Sequence, residues 1–160
     1  MSDLDAAALA GQAFLRGLPA GQVARLAGVA AEVFVPAGHR IFEEGGHARQ
    51  FWLITSGHVA LDLTVPGRAP LIVETLGAGD LLGVSWLSPP YEWQYGAVAV
   101  EDTRAFGLDG AAVIAMCDDD PAFGHEFFVR LMRVAARRLH SSRIRMLDLY
   151  GAPGQRAGAR

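Results

Sequence analysis

From Glu32 to Leu108 the chain consists of short β-prone runs broken at regular intervals by glycine-centred turns. Val33-Phe34-Val35 stops at Pro36-Ala37-Gly38, and Arg40-Ile41-Phe42 stops at Gly45-Gly46. Phe51 to Ile54 stops at Ser56-Gly57, and Val59 to Val65 stops at Pro66-Gly67-Arg68. Leu71 to Leu76 stops at Gly77-Ala78-Gly79-Asp80. Gly96 to Val100 and Arg104 to Leu108 close the series around Glu101-Asp102. Runs this short cannot each bury a face alone, and turns this frequent fold them back on one another. The pattern predicts an antiparallel barrel or jelly roll.

Helical segments flank the strands. Over residues 3 to 30, Leu15, Leu18, Val23, Leu26 and Val29 recur at helical spacing, with Gly17, Pro19 and Gly21 interrupting them. Two short helices are expected there. After the strands, Asp109 can cap a short helix over Ala111 to Met116. Asp118-Asp119-Asp120 before Pro121 is a second start signal, with acids at the positive end of the dipole and proline at the first helical position. Phe123, Phe127, Leu131, Ala135 and Leu139 follow at four-residue intervals, and Ile144, Leu147 and Tyr150 extend the apolar side. A helix of roughly thirty residues would be about 45 Å long. That overhangs a small roll, so the helix is expected to pair with a second copy through Phe127, Leu131, Ala135 and Leu139. Residues 1–150 are read as one domain and 151–160, rich in Gly, Ala and Arg, as a disordered tail.

Composition removes several function classes. The net charge is −3, too small to predict nucleic-acid binding, although all fourteen basic residues are arginine. The single cysteine, Cys117, permits neither an internal disulfide nor a zinc knuckle. The acidic start and the lack of a long apolar run predict a cytoplasmic protein that does not enter a membrane. His39, His47, His58, His125 and His140 lack metal-ligand spacing and read as surface or turn residues, so no metal is expected. Glu43-Glu44 and Glu101-Asp102 are neighbours at turns, and strand neighbours point to opposite faces, so neither suits a catalytic carboxylate pair. No nucleophile, base and orienting group occur together, and no enzyme is predicted.

The order of turns carries a resemblance. Phe34 to Gly45 (FVPAGHRIFEEG), Phe51 to Val59 (FWLITSGHV), Leu76 to Gly83 (LGAGDLLG) and Val100 to Asp109 (VEDTRAFGLD) together resemble the cyclic-nucleotide-binding domain family. Arg137-Arg138-Leu139 sits in a helix similar to the dimerisation helix of the cyclic-AMP receptor protein family. The resemblance implies an antiparallel β-roll, a double-stranded β-helix, with N-terminal helices and a long C-terminal dimerisation helix. It also implies a phosphate-binding cassette, and here the sequence departs from it. Where the family has Phe-Gly-Glu, with the carboxylate for the ribose, this chain has Leu82-Gly83-Val84. Where the family has an arginine for the cyclic phosphate, counting back from Glu101-Asp102 places Trp93 or Gln94. No basic residue lies between Arg68 and Arg104, so the paired, charge-assisted bonds that compensate a buried phosphate are missing. Backbone N–H groups around Gly83 to Ser85 remain.

The cassette instead reads Ser85 to Tyr95, SWLSPPYEWQY, with four aromatics and two prolines. Gly83, Val84, Ser85, Trp86, Tyr91, Trp93, Gln94 and Tyr95 are the candidate ligand-binding residues. The rings suit a rebuilt pocket for an apolar, aromatic or cationic ligand, a docking patch, or a plug in the space a nucleotide would take. Three functions follow as expectations. The first is a stand-alone, non-catalytic regulatory domain with a degenerate cassette, acting as a dimer on a partner protein. The second is retained nucleotide binding through Ser85, Gln94, backbone amides and stacking on Trp86 or Trp93. The third is a ligand-free scaffold that docks a partner through the Pro-Pro-aromatic loop. A cyclic nucleotide is therefore possible but disfavoured as ligand, and no other cofactor is implied. DNA binding by this chain alone is not expected, because the family's helix-turn-helix lies beyond the last helix and only about ten residues follow here.

Overall fold

The computed structural model describes residues 3–150, with side chains over 7–145. The expected tail, 151–160, lies outside the described residues. Two short helices, α1 (Asp3–Ala10) and α2 (Ala20–Ala27), precede the strands, with one 3-10 turn at Ala13–Leu15 between them. Eight strands follow: β1 (Ala30–Val35), β2 (Arg40–Phe42), β3 (Gln50–Ser56), β4 (Val59–Leu63), β5 (Leu71–Leu76), β6 (Leu81–Leu82), β7 (Gly96–Ala99) and β8 (Thr103–Asp109). Helices α3 (Gly110–Asp119) and α4 (Pro121–Tyr150) follow the strands.

The strands form two four-stranded antiparallel sheets, ordered β1-β8-β3-β6 and β2-β7-β4-β5. This is the predicted roll. β4 stops two residues early because Val65 turns away, its carbonyl accepting the Arg68 N–H at 3.1 Å. The two-residue β6, which the turn pattern hid inside Gly79 to Gly83, pairs with Trp52 and Leu53 of β3.

β3 explains the layering. Phe51, Trp52, Leu53 and Ile54 are all buried, which a strand with one wet face cannot achieve. Neighbouring side chains point to opposite faces. Trp52 stacks inside the roll on Phe42, with centroids 5.5 Å apart, while Phe51 stacks on Trp86 and meets the edge of Phe127 from α4. One sheet is thus covered by the second sheet on one side and by helices on the other.

Both helix caps follow the sequence. Asp109 Oδ1 accepts the Ala112 N–H at 2.8 Å, and Asp120 Oδ1 accepts the Phe123 N–H at 3.0 Å. The first half of α4 is fastened to the roll by Phe123, Phe127, Leu131 and Val134, all buried. Arg130 adds two bonds of 2.8 Å to the Phe14 and Arg16 carbonyls. This corrects the expected dimer seam. Phe127 and Leu131 are 1% and 4% exposed in the single chain, because they fill its own core, and have no area left for a second copy. Ala135 and Leu139 are exposed, beside Phe128 and Met132 one face further round.

Candidate functional site

The roll and α4 form a half-open cavity of about 310 Å³ between them. Its roll side is built by the loop after β6. Gly83 sits at φ +90°, and the edge of the Trp93 ring lies 3.0 Å from where a Cβ would stand. Only glycine satisfies both the left-handed backbone and the close ring. Val84 and Ser85, both half-buried, continue the wall. Trp93 is fixed by backbone bonds of 2.8 Å to Gly45 and Gly46 on both of its sides. Its ring is 6% exposed and stacks on Phe42 with centroids 3.9 Å apart at 17°. Phe42 in turn stacks on Trp52, so three rings occupy the interior of the roll. Gln94 and Tyr95 stand exposed at the rim, and Leu61 completes the apolar wall.

The aromatic segment does not act as one surface. Trp86 and Tyr91 turn the other way and line a separate depression against α3. Trp86 is 5% exposed, stacked on Phe51 at 5.0 Å, and its ring lies 2.6 Å from a Cβ placed on Gly110. Its Nε1–H meets no acceptor among the described residues. Of the eight candidates, Gly83, Val84, Ser85, Trp93, Gln94 and Tyr95 converge on the cavity, whereas Trp86 and Tyr91 stand apart from it. Stacking of a cavity ligand on Trp86 is thereby excluded by position.

The opposite wall was not among the candidates. Arg138, Leu139 and Ser142 of α4 line it, together with Glu74 of β5. Leu139, expected only at a dimer seam, therefore also faces the cavity. Among the described residues Arg138 is the one basic residue on the lining, and its guanidinium donates from Nη2 to the Leu81 carbonyl. The Glu74 carboxylate lies 4.0 Å from its Nε. Burial lowers the pKa of Arg138, with Glu74 and then Asp80 opposing that shift. A signal for Arg138 did exist in the sequence. The buried positions Phe127, Leu131 and Val134 step by four and three, and the next step of four is 138.

The remaining chemistry is sparse. Among the described residues no three His, Cys, Asp or Glu side chains gather as a metal site. Cys117 is buried, and desolvation followed by Asp118 and Asp120 pushes its pKa up, away from a reactive thiolate. His58 Nδ1 pairs with the exposed Glu101 carboxylate. No described helix is long and apolar enough to cross a membrane.

Comparison with known proteins bears on the same region. The family profile of the cyclic nucleotide-binding domain matches residues 32–120. A CRP-like cAMP-activated global transcriptional regulator of Mycobacterium tuberculosis is 27% identical over 141 residues, covering 88% of this chain and 61% of the relative. The cyclic AMP receptor protein of Thermus thermophilus is 33% identical over 114 residues, covering 71% of this chain and 50% of that one. The chain thus spans 50% to 61% of the length of these curated relatives. In structure, a cyclic nucleotide-binding domain from Methylobacillus flagellatus superposes with a TM-score of 0.77 at 19% identity, over 96% of this chain and 85% of that one, which bears on fold alone. The matched profile covers the strands, the cassette and α3, and the chain belongs to the cyclic nucleotide-binding domain family.

Proposed function

We propose that this chain is a non-catalytic regulatory module whose cavity takes a small organic ligand and whose α4 reports occupancy, acting as a dimer on a protein partner. The observation that carries this reading is the shared wall. Gly83 to Ser85 and Trp93 to Tyr95 form one side of the cavity, and Arg138, Leu139 and Ser142 of α4 form the other. A ligand there touches the roll and the helix at once, so binding free energy can bias the helix position. The cavity also argues against a pure plug: Trp93 fills the roll interior, yet about 310 Å³ is left beside it.

The curated relatives are named for cyclic AMP. In this chain the positions that correspond to the cassette carboxylate and arginine hold Val84 and Trp93 or Gln94. That substitution supports a ligand other than a cyclic nucleotide. Arg138 favours a second reading, in which a cyclic nucleotide is held in a non-standard way by a cation on the helix.

Calorimetry with cyclic AMP and cyclic GMP separates the two, with no binding tighter than micromolar expected. Sub-micromolar affinity for either nucleotide overturns the first reading of the pocket. Hydrogen exchange then tests the reporter role, because a bound ligand slows exchange of α4 amides from 135 to 145. Unchanged exchange on a saturated protein removes it.

A second copy is expected along the exposed apolar face of α4. Phe128, Met132, Ala135 and Leu139 step by four, three and four, the spacing of a two-stranded coiled-coil seam. Phe128, Met132 and Leu139 are 40%, 67% and 55% exposed in the single chain.

A further inference from the structure

Building on the reading of the cavity as a ligand site, we propose that Arg138 is its anion anchor and that the ligand is a monoanion with an aromatic or otherwise apolar body. The positive charge missing from the cassette is thus supplied from the helix instead.

Four observations converge on this assignment. Among the described residues Arg138 is the only cation on the lining, and the facing surface carries the apolar side chains Phe42, Leu61, Val84 and Trp93. Its guanidinium carries five N–H donors. The Leu81 carbonyl takes a bond from one nitrogen, and Glu74 lies at 4.0 Å, beyond hydrogen-bond reach. The group is also largely buried, with 21% of its side chain exposed, and desolvation dominates its environment. A forked cation in such surroundings gains most from an oxyanion, because charge-assisted bonds strengthen as water is excluded. The aromatic wall gives the rest of the ligand a surface on which to bury apolar area.

Glu74 sets the charge of the ligand. It shares the lining with Arg138, so the two charges already cancel; a monoanion competes with the carboxylate for the guanidinium and adds one uncompensated negative charge, whereas a dianion adds two and costs more to bury. Asp80, the other nearby acid, is engaged by the Gly77 N–H at 2.8 Å. The anchor also couples binding to structure. Leu81 lies two residues before Gly83, so ligand oxygens drawing Arg138 from the Leu81 carbonyl act at once on α4 and on the start of the cassette.

Two dyes with a common skeleton test the anchor: 1-anilinonaphthalene-8-sulfonate, a monoanion, and N-phenyl-1-naphthylamine, which lacks the sulfonate. Fluorescence titration of the full chain is expected to show the sulfonate bound at one site per chain, at least about tenfold tighter than the amine. Arg138→Gln should cost the sulfonate about tenfold or more while leaving the amine within about twofold. Glu74→Gln keeps Arg138 intact and should tighten the sulfonate alone, so the test survives a poorly folding Arg138 variant. Equal affinity for the two dyes, or a ratio unmoved by both substitutions, overturns the anchor. Equal binding with a protected α4 removes the anchor but leaves the regulatory reading standing. Failure of both dyes to bind counts against both.

Discussion

Trp86 and Trp93 are seven positions apart in one loop, and their indoles serve different surfaces. Trp93 is the outer ring of a three-ring stack inside the roll and the underside of the cavity. Trp86 fills the space between β3 and α3 over Gly110. Both are buried, but truncation should separate them by chemistry. Trp93→Ala leaves a large void that the rigid stack cannot close, and should lower stability in urea by about 3–5 kcal/mol. Trp86→Phe keeps a ring on Phe51 and removes an N–H that has no acceptor among the described residues, so its cost should stay within about 1.5 kcal/mol. A larger loss for Trp86→Phe in the same urea titration would mean that the indole nitrogen has a partner in solution.

At the scale of elements, α4 has to satisfy three neighbours. Its first half is bound to the roll by Phe123, Phe127, Leu131, Val134 and Arg130. Its second half faces the cavity with Arg138 and Ser142. A third face, Phe128, Met132 and Leu139, is left apolar and open. Replacing Met132 and Leu139 together by aspartate should convert a dimer to a monomer in sedimentation velocity, because like charges and lost apolar area meet across the seam. Helix content and the melting of the roll should be nearly unchanged, since neither side chain contributes to the roll's core. A wild-type monomer at micromolar concentration, or a double variant that stays dimeric, would refute the seam. The same element shows the limit of periodicity. Four-residue spacing picked out Phe123, Phe127 and Leu131 as a stripe, but it could not say whether the stripe met this chain or another. Burial shows that it meets this one.

For the whole molecule, stability should fall on the alkaline side. The Cys117 pKa is raised above the ordinary 9.0 by burial, with Asp118 and Asp120 adding to it. Its folded thiol holds the proton more tightly than the unfolded one, so this contribution is intact below the unfolded pKa. It is lost as pH rises from there through the folded value. Urea midpoints should therefore decline above pH 9 in the wild type and decline less in Cys117→Ala, once each is referenced to its own value at pH 7. Parallel curves for the two proteins would rule out the thiol as the cause.

The turns were legible because each demands a local backbone state: Gly57, Gly67 and Gly79 all take the left-handed region, and Asp109 and Asp120 cap helices three residues from themselves. Such constraints are written within a few residues, so the β-roll, seven of its eight strands and the caps followed from sequence, while the two-residue β6 did not. The divergent cassette was visible in the same local way. The cavity was not. Leu61 and Glu74 reach it as directly opposed residues of β4 and β5, and Arg138 reaches it from a helix 57 positions beyond the Leu81 carbonyl that it meets. Neither the splitting of Trp86 from Trp93 nor the placing of a cation opposite Gly83 can be read from spacing, because both depend on which faces close against each other. The sequence by itself determined a roll of this family with the charge gone from its cassette. Only the tertiary structure decided that a charge faces the cavity from α4, since long-range packing chooses which of the helix's arginines is turned toward it.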